Sequence, residues 1–177
     1  MRYLIYLVFL ICLCGLTAGL APTAAVYGQA PNLLLLATFV WSLEKREPDY
    51  LFLAFAAGLF IDVYSGGVIG SFTLPFLAIS LLLRMVIENF LFIDKNQKIM
   101  PLLLLPFIGT FYVFYLLVNW LLRRAGAVPA AWDWHYILPA GAIFYLYNLL
   151  FLYPVYFSIS LLKNFIRKYI DKEYKAG

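Results

Sequence analysis

The chain has 177 residues, of which 65% are apolar and only 12% charged, and its net charge is +4. A soluble domain carries about 25% charged residues, and a chain this short cannot hide so much apolar surface in one aqueous core, so a water-soluble globule is excluded. Nucleic-acid binding is excluded too: the basic residues do not gather on one face but sit in the breaks between apolar runs and in the tail, as in membrane proteins.

The first apolar run covers residues 3–20. Met1-Arg2-Tyr3 before it and Ala21-Pro22-Thr23-Ala24-Ala25 after it have the outline of a cleavable signal peptide. The leading charge is single and the rest of the chain is as apolar, so the run reads as a retained first span. Cys12 and Cys14 are two apart, on different helix faces, and read as small apolar residues rather than a disulfide or zinc pair. Gly15 and Gly19 form a GxxxG step, which predicts close helix packing within the protein. Residues 21–29 are a breaker-rich connection. The second run, residues 31–43, is short for a crossing; it starts earlier, near Ala24, or is tilted or partly buried against its neighbours.

A charged turn, Glu44-Lys45-Arg46-Glu47-Pro48-Asp49, leads into the third run, residues 50–64, where Ala54 and Gly58 make a second small-residue step. The run ends in Ser65-Gly66-Gly67-Val68-Ile69-Gly70. The fourth run covers residues 71–87, with Thr73 expected as N-cap and Pro75 in the first turn, where proline is tolerated. Arg84 and Glu88, four apart, are placed to pair on one face near an interface. After Asp94-Lys95-Asn96-Gln97-Lys98 the fifth run spans residues 100–122, with Pro101 and Pro106 near its start. Residues 123–135 are the longest polar connection, and residues 136–162 the sixth run. In the tail, residues 163–177, Phe165, Ile166, Tyr169 and Ile170 interleave with Lys163, Arg167, Lys168 and Lys172, a pattern for a helix along the membrane surface. The predicted architecture is an all-α integral membrane protein: one bundle of about six transmembrane helices over residues 1–162, then a basic cytoplasmic tail.

With six spans and the N-terminus in the cytoplasm, every Lys and Arg except Arg123 and Arg124 falls inside, as the positive-inside rule requires. Trp120, Trp132, Trp134 and Tyr136 then cluster at the outer end of the fifth and sixth spans as an aromatic belt.

Chemistry has few candidates. The sole histidine, His135, has Asp133 nearby but no adjacent nucleophile, and reads as a belt residue. No HExxH, metal-spaced cysteine pair or phosphate-binding glycine loop occurs, so no cofactor or metal is expected. The clear ionisable group inside a span is Asp62. A carboxylate near a helix C-terminus opposes the helix dipole, so capping of its own helix does not explain it. It is placed to accept hydrogen bonds from the glycine turn or the start of the fourth helix, locking a hairpin; contact with a partner and binding of an ion or ligand stay open. Asn119 and Asn148 are candidates for interhelical hydrogen bonds.

Gly58, Leu59, Asp62, Ser65, Gly66 and Gly70 stand as Gly-Leu-x-x-Asp-x-x-Ser-Gly-x-x-x-Gly, and in this stretch, which also holds Gly67, the chain resembles the rod shape-determining protein MreD family. The Pro31-Asn32-Leu33-Leu34-Leu35-Leu36 start of the second run is similar as well, with Asn32 where the family often has Asp, and residues 148–154 resemble the family's last span. The resemblance implies a non-enzymatic component of the bacterial elongation machinery in the cytoplasmic membrane. It implies association with MreC, a bitopic protein, and through it with MreB, RodA and a class B penicillin-binding protein. It also implies a likeness to the substrate-binding subunits of energy-coupling-factor transporters, and hence an alternative function as a small-molecule-binding transport subunit. A membrane enzyme lacks the residues it would need.

Overall fold

The computed structural model describes residues 2–43, 50–90, 102, 104–127 and 134–169. Six helices follow one another: α1 Arg2–Ala24, α2 Leu33–Ser42, α3 Tyr50–Ser65, α4 Thr73–Phe90, α5 Leu105–Arg124 and α6 Trp134–Tyr169. The charged breaks at residues 44–49 and 94–98, with Asp133 and residues 170–177 of the tail, lie outside the described residues.

Several helix ends have a local cause. Asn32 caps α2: its side-chain oxygen accepts from the Leu35 N–H at 3.0 Å. α5 has proline in its first turn and ends in a Schellman arrangement, with Gly126 at φ +77° and bonds from the Gly126 and Ala127 amides to the Arg123 and Leu122 carbonyls. The connection after α1 is a tight reversal at Val26–Gln29, with Tyr27 at φ 50° and Gly28 at φ 69°, the two positive angles of a type I′ turn.

Several boundaries move. α1 runs four residues beyond Leu20, to Ala24. The tail expected to be helical begins as a direct extension of α6, which continues past Leu162 to Tyr169. The first tail lysine, Lys163, is buried, with its ammonium 4.7 Å from the centre of the Trp41 ring. Thr73 is the first residue of α4 rather than its cap, since Phe72 already supplies the carbonyl for the Phe76 N–H.

α2 sits at the centre. Every one of its ten residues is buried, and it packs on α1, α3, α4 and α6. At ~1.5 Å per residue it is about 15 Å long, half the ~30 Å of a bilayer core. Around it Phe76, Ile79 and Leu83 of α4, Ile108 and Phe111 of α5, and Leu152 and Ile159 of α6 complete the core. Phe76 meets the Phe111 ring edge-on at 5.2 Å.

The outer surface is apolar on every long helix, with Val8, Phe52, Leu81, Val113, Leu150 and Phe157 among the exposed side chains. Polar groups lie inside instead: Asp62, Thr38, Ser42, Ser80 and Asn148 are all at 0% exposure. Apolar outside and polar inside is the distribution that lipid imposes. Among the described residues, two helical stretches, Leu105–Arg124 and His135–Phe165, are long and apolar enough on their own to cross a membrane.

Candidate functional site: the turn between the third and fourth helices

Asp62 lies in the last turn of α3 and is fully buried. Its carboxylate reaches across the turn to the start of α4. Oδ1 accepts the Phe72 N–H at 2.7 Å; Oδ2 accepts the Gly70 N–H at 2.8 Å, the Thr73 N–H at 3.1 Å and the Thr73 hydroxyl at 2.5 Å. The first-turn amides of a helix have no partner within it and carry the positive end of its dipole, so an acceptor held there is doubly favourable. Asp62 therefore caps α4 from the end of α3. The four donors engage both oxygens, three on Oδ2 and one on Oδ1.

Backbone geometry allows this reach. Gly58 is one helical turn before Asp62 on the same face. A Cβ at Gly58 would stand 2.5 Å from the Thr73 Cα and 3.0 Å from its nitrogen, so α3 and α4 touch main chain to main chain there. Ala54, one turn earlier, is buried on the same face, and α3 and α4 form the most extensive helix pair among the described residues. Gly66 at φ +65° ends α3 and Gly70 at φ +106° turns the chain into α4, both in the region that disfavours a side chain. The Ser65 hydroxyl donates to the Asp62 carbonyl at 3.2 Å, and a Cβ at Gly67 would sit 3.3 Å from the Ser65 oxygen.

Asp62, Ser65, Gly66, Gly67 and Gly70 thus lie together at one turn, and Gly58, one helical turn earlier in α3, packs on the start of α4. Gly15 and Gly19 do not join them, and the close internal packing expected at this step is absent: both are exposed, with nothing within 4 Å of an added Cβ. α1 turns Leu10, Leu13, Cys14 and Thr17 toward the core, and the two glycines fall on the opposite face.

The asparagines divide. Asn148 is fully buried; its oxygen accepts the Asn32 N–H at 3.2 Å, joining α6 to the start of α2. Asn119 bonds to the Tyr115 carbonyl of its own helix at 2.9 Å. His135 is exposed. Among the described residues, no three His, Cys, Asp or Glu side chains stand together as a metal site.

Sequence reasoning missed a set of tyrosine clamps. The hydroxyls of Tyr64, Tyr147 and Tyr136 donate to the carbonyls of Ala18 at 2.8 Å, Ala24 at 2.6 Å and Tyr27 at 2.6 Å. These tie α3 and α6 to the open end of α1 and the turn beyond it, where carbonyls lack helical partners. A cleft of about 510 Å³ opens beside the Asp62 turn, between Ser65–Phe72 and the end of α5.

Across residues 1–162 the chain matches the family model for rod shape-determining protein MreD. No curated protein and no solved structure matches it.

Proposed function

The chain belongs to the MreD family of rod shape-determining proteins, and from that membership we propose that it is a non-enzymatic membrane scaffold of the elongation machinery. It holds the transmembrane helix of an MreC-like bitopic protein and, through that partner, helps MreB, RodA and a class B penicillin-binding protein organise peptidoglycan synthesis. The observation that carries this reading is the distribution of polarity. The apolar outer face suits helix-on-helix contact in lipid. The most conspicuous polar groups, Asp62 and Asn148, are engaged in holding the bundle together.

In this reading all six helices cross the bacterial cytoplasmic membrane, with both termini in the cytoplasm. The short α2 crosses inside a sheath of its neighbours, so its length need not match the bilayer. Asp62 and its glycines act as the lock that keeps α3 and α4 at one fixed angle. A transport subunit is not favoured, because Asp62 and Asn148, two of the groups that a ligand cavity would need, are bonded within the chain.

The test is co-purification from membranes in mild detergent, with mass spectrometry of everything retained. Recovery of a single-span MreC-like protein is the expected result. Recovery of transporter ATPase and coupling subunits, or of a vitamin-like molecule, would overturn the scaffold reading.

A further inference from the structure

The cleft beside the Asp62 turn has unused hydrogen-bonding groups. Ser71 and Phe72 form one wall and Tyr115 and Asn119 of α5 the other, with the rings of Phe72 and Tyr115 4.7 Å apart. Ser71 is 6% exposed, yet its hydroxyl has no hydrogen-bond partner among the described residues. The Tyr115 hydroxyl has none there either, and the Asn119 amide nitrogen is held by its own helix, leaving the amide oxygen for the cleft. Ser71 and Tyr115 both line the cleft, so their hydroxyls are available to a ligand seated in it.

Charge and depth narrow what that partner is. Arg123 follows Asn119 by four residues, so it continues the cleft-lining face of α5 by one turn, and it has no ion pair among the described residues. Arg124 stacks over the exposed ring of Trp120 at 5.2 Å, which marks the level where lipid tails give way to head groups. Two hydroxyls in the cleft, with an arginine one helical turn beyond its lining on the same face of α5, suit a phosphate. We propose that this cleft binds the phosphate head group of an anionic phospholipid. The inference does not rest on the scaffold reading; it stands if the partner proves to be a different protein.

The test is native mass spectrometry of the full-length protein in detergent with phosphatidylglycerol, phosphatidylcholine or soluble glycerol 3-phosphate. The double variant Ser71→Ala/Tyr115→Phe keeps the packing and removes both hydroxyls. Arg84→Gln, near the opposite end of the bundle, controls for general attraction of anionic lipid. The expected result is that wild type and Arg84→Gln retain phosphatidylglycerol over phosphatidylcholine. The double variant should retain about tenfold less, the factor expected for about one lost charge-assisted hydrogen bond. Equal retention by the double variant overturns the proposal. So does an equal loss in Arg84→Gln, or binding of glycerol 3-phosphate without lipid, which would make the cleft a site for a soluble phosphate. Co-purification of the protein partner reads the scaffold function separately from all of these outcomes.

Discussion

Replacing Asp62 should destabilise the bundle in an order that its hydrogen bonds dictate. Oδ2 takes three donors and Oδ1 one. In Asp62→Asn the amide oxygen can occupy the Oδ2 position and keep those three, but the Phe72 N–H then faces an NH2 group. The bonds that survive lose their ionic assistance as well, so the cost should be about 2 kcal/mol. Asp62→Ala leaves all four donors without an acceptor. The bonds from Thr73 are buried, whereas those from Gly70 and Phe72 are only partly so and water can replace them. Counting the two buried donors at about 2 kcal/mol each gives about 4 kcal/mol. Reversible unfolding of the purified protein in mixed micelles, followed by tryptophan fluorescence, measures the series; Trp41, 7% exposed, reports on the core. A stability for Asp62→Ala within about 0.5 kcal/mol of wild type would refute the capping argument. Unchanged stability with loss of partner binding would make Asp62 a contact residue instead.

Further substitutions separate the elements of the fold. Gly58→Ala drives a methyl group into the Thr73 backbone and should cost about 1–3 kcal/mol in the same assay. Gly15→Ala and Gly19→Ala meet open space and should be neutral or stabilising by up to about 1 kcal/mol, from helix propensity alone. Asn148→Leu strands the buried Asn32 N–H and should lower stability by about 1–3 kcal/mol, whereas Asn119→Leu, which breaks only a bond within its own helix, should lower it less. Tyr64→Phe and Tyr147→Phe should each cost about 1 kcal/mol, and hydrogen exchange should rise at the end of α1.

Much of the helical layout was legible because apolar runs and charged breaks record the solvent directly. The grouping of Asp62 with the glycine turn was legible for a different reason: a carboxylate at a helix C-terminus is an electrostatic anomaly, and glycines and the start of another helix follow it within a dozen residues. Orientation was not legible. A GxxxG step says that a face is smooth, not where it points, and in α1 the neighbouring Leu13 and Thr17 take the inward side. The role of Thr73 was misjudged because a good capping residue is recognised from its own position, while here the acceptor comes from eleven residues earlier. The tyrosine clamps leave no periodic trace, because each donor meets its carbonyl through the tertiary fold.

The place of α2 has a consequence for biogenesis. Its start is held by Asn148, which is synthesised 116 residues later. A ten-residue helix with no lipid-facing side cannot take its final position as it leaves the ribosome, because the wall that receives it does not yet exist. The seating of α2 therefore waits for α6. A nascent chain that stops short of Asn148 should remain open to proteolysis however well its earlier segments have entered the membrane.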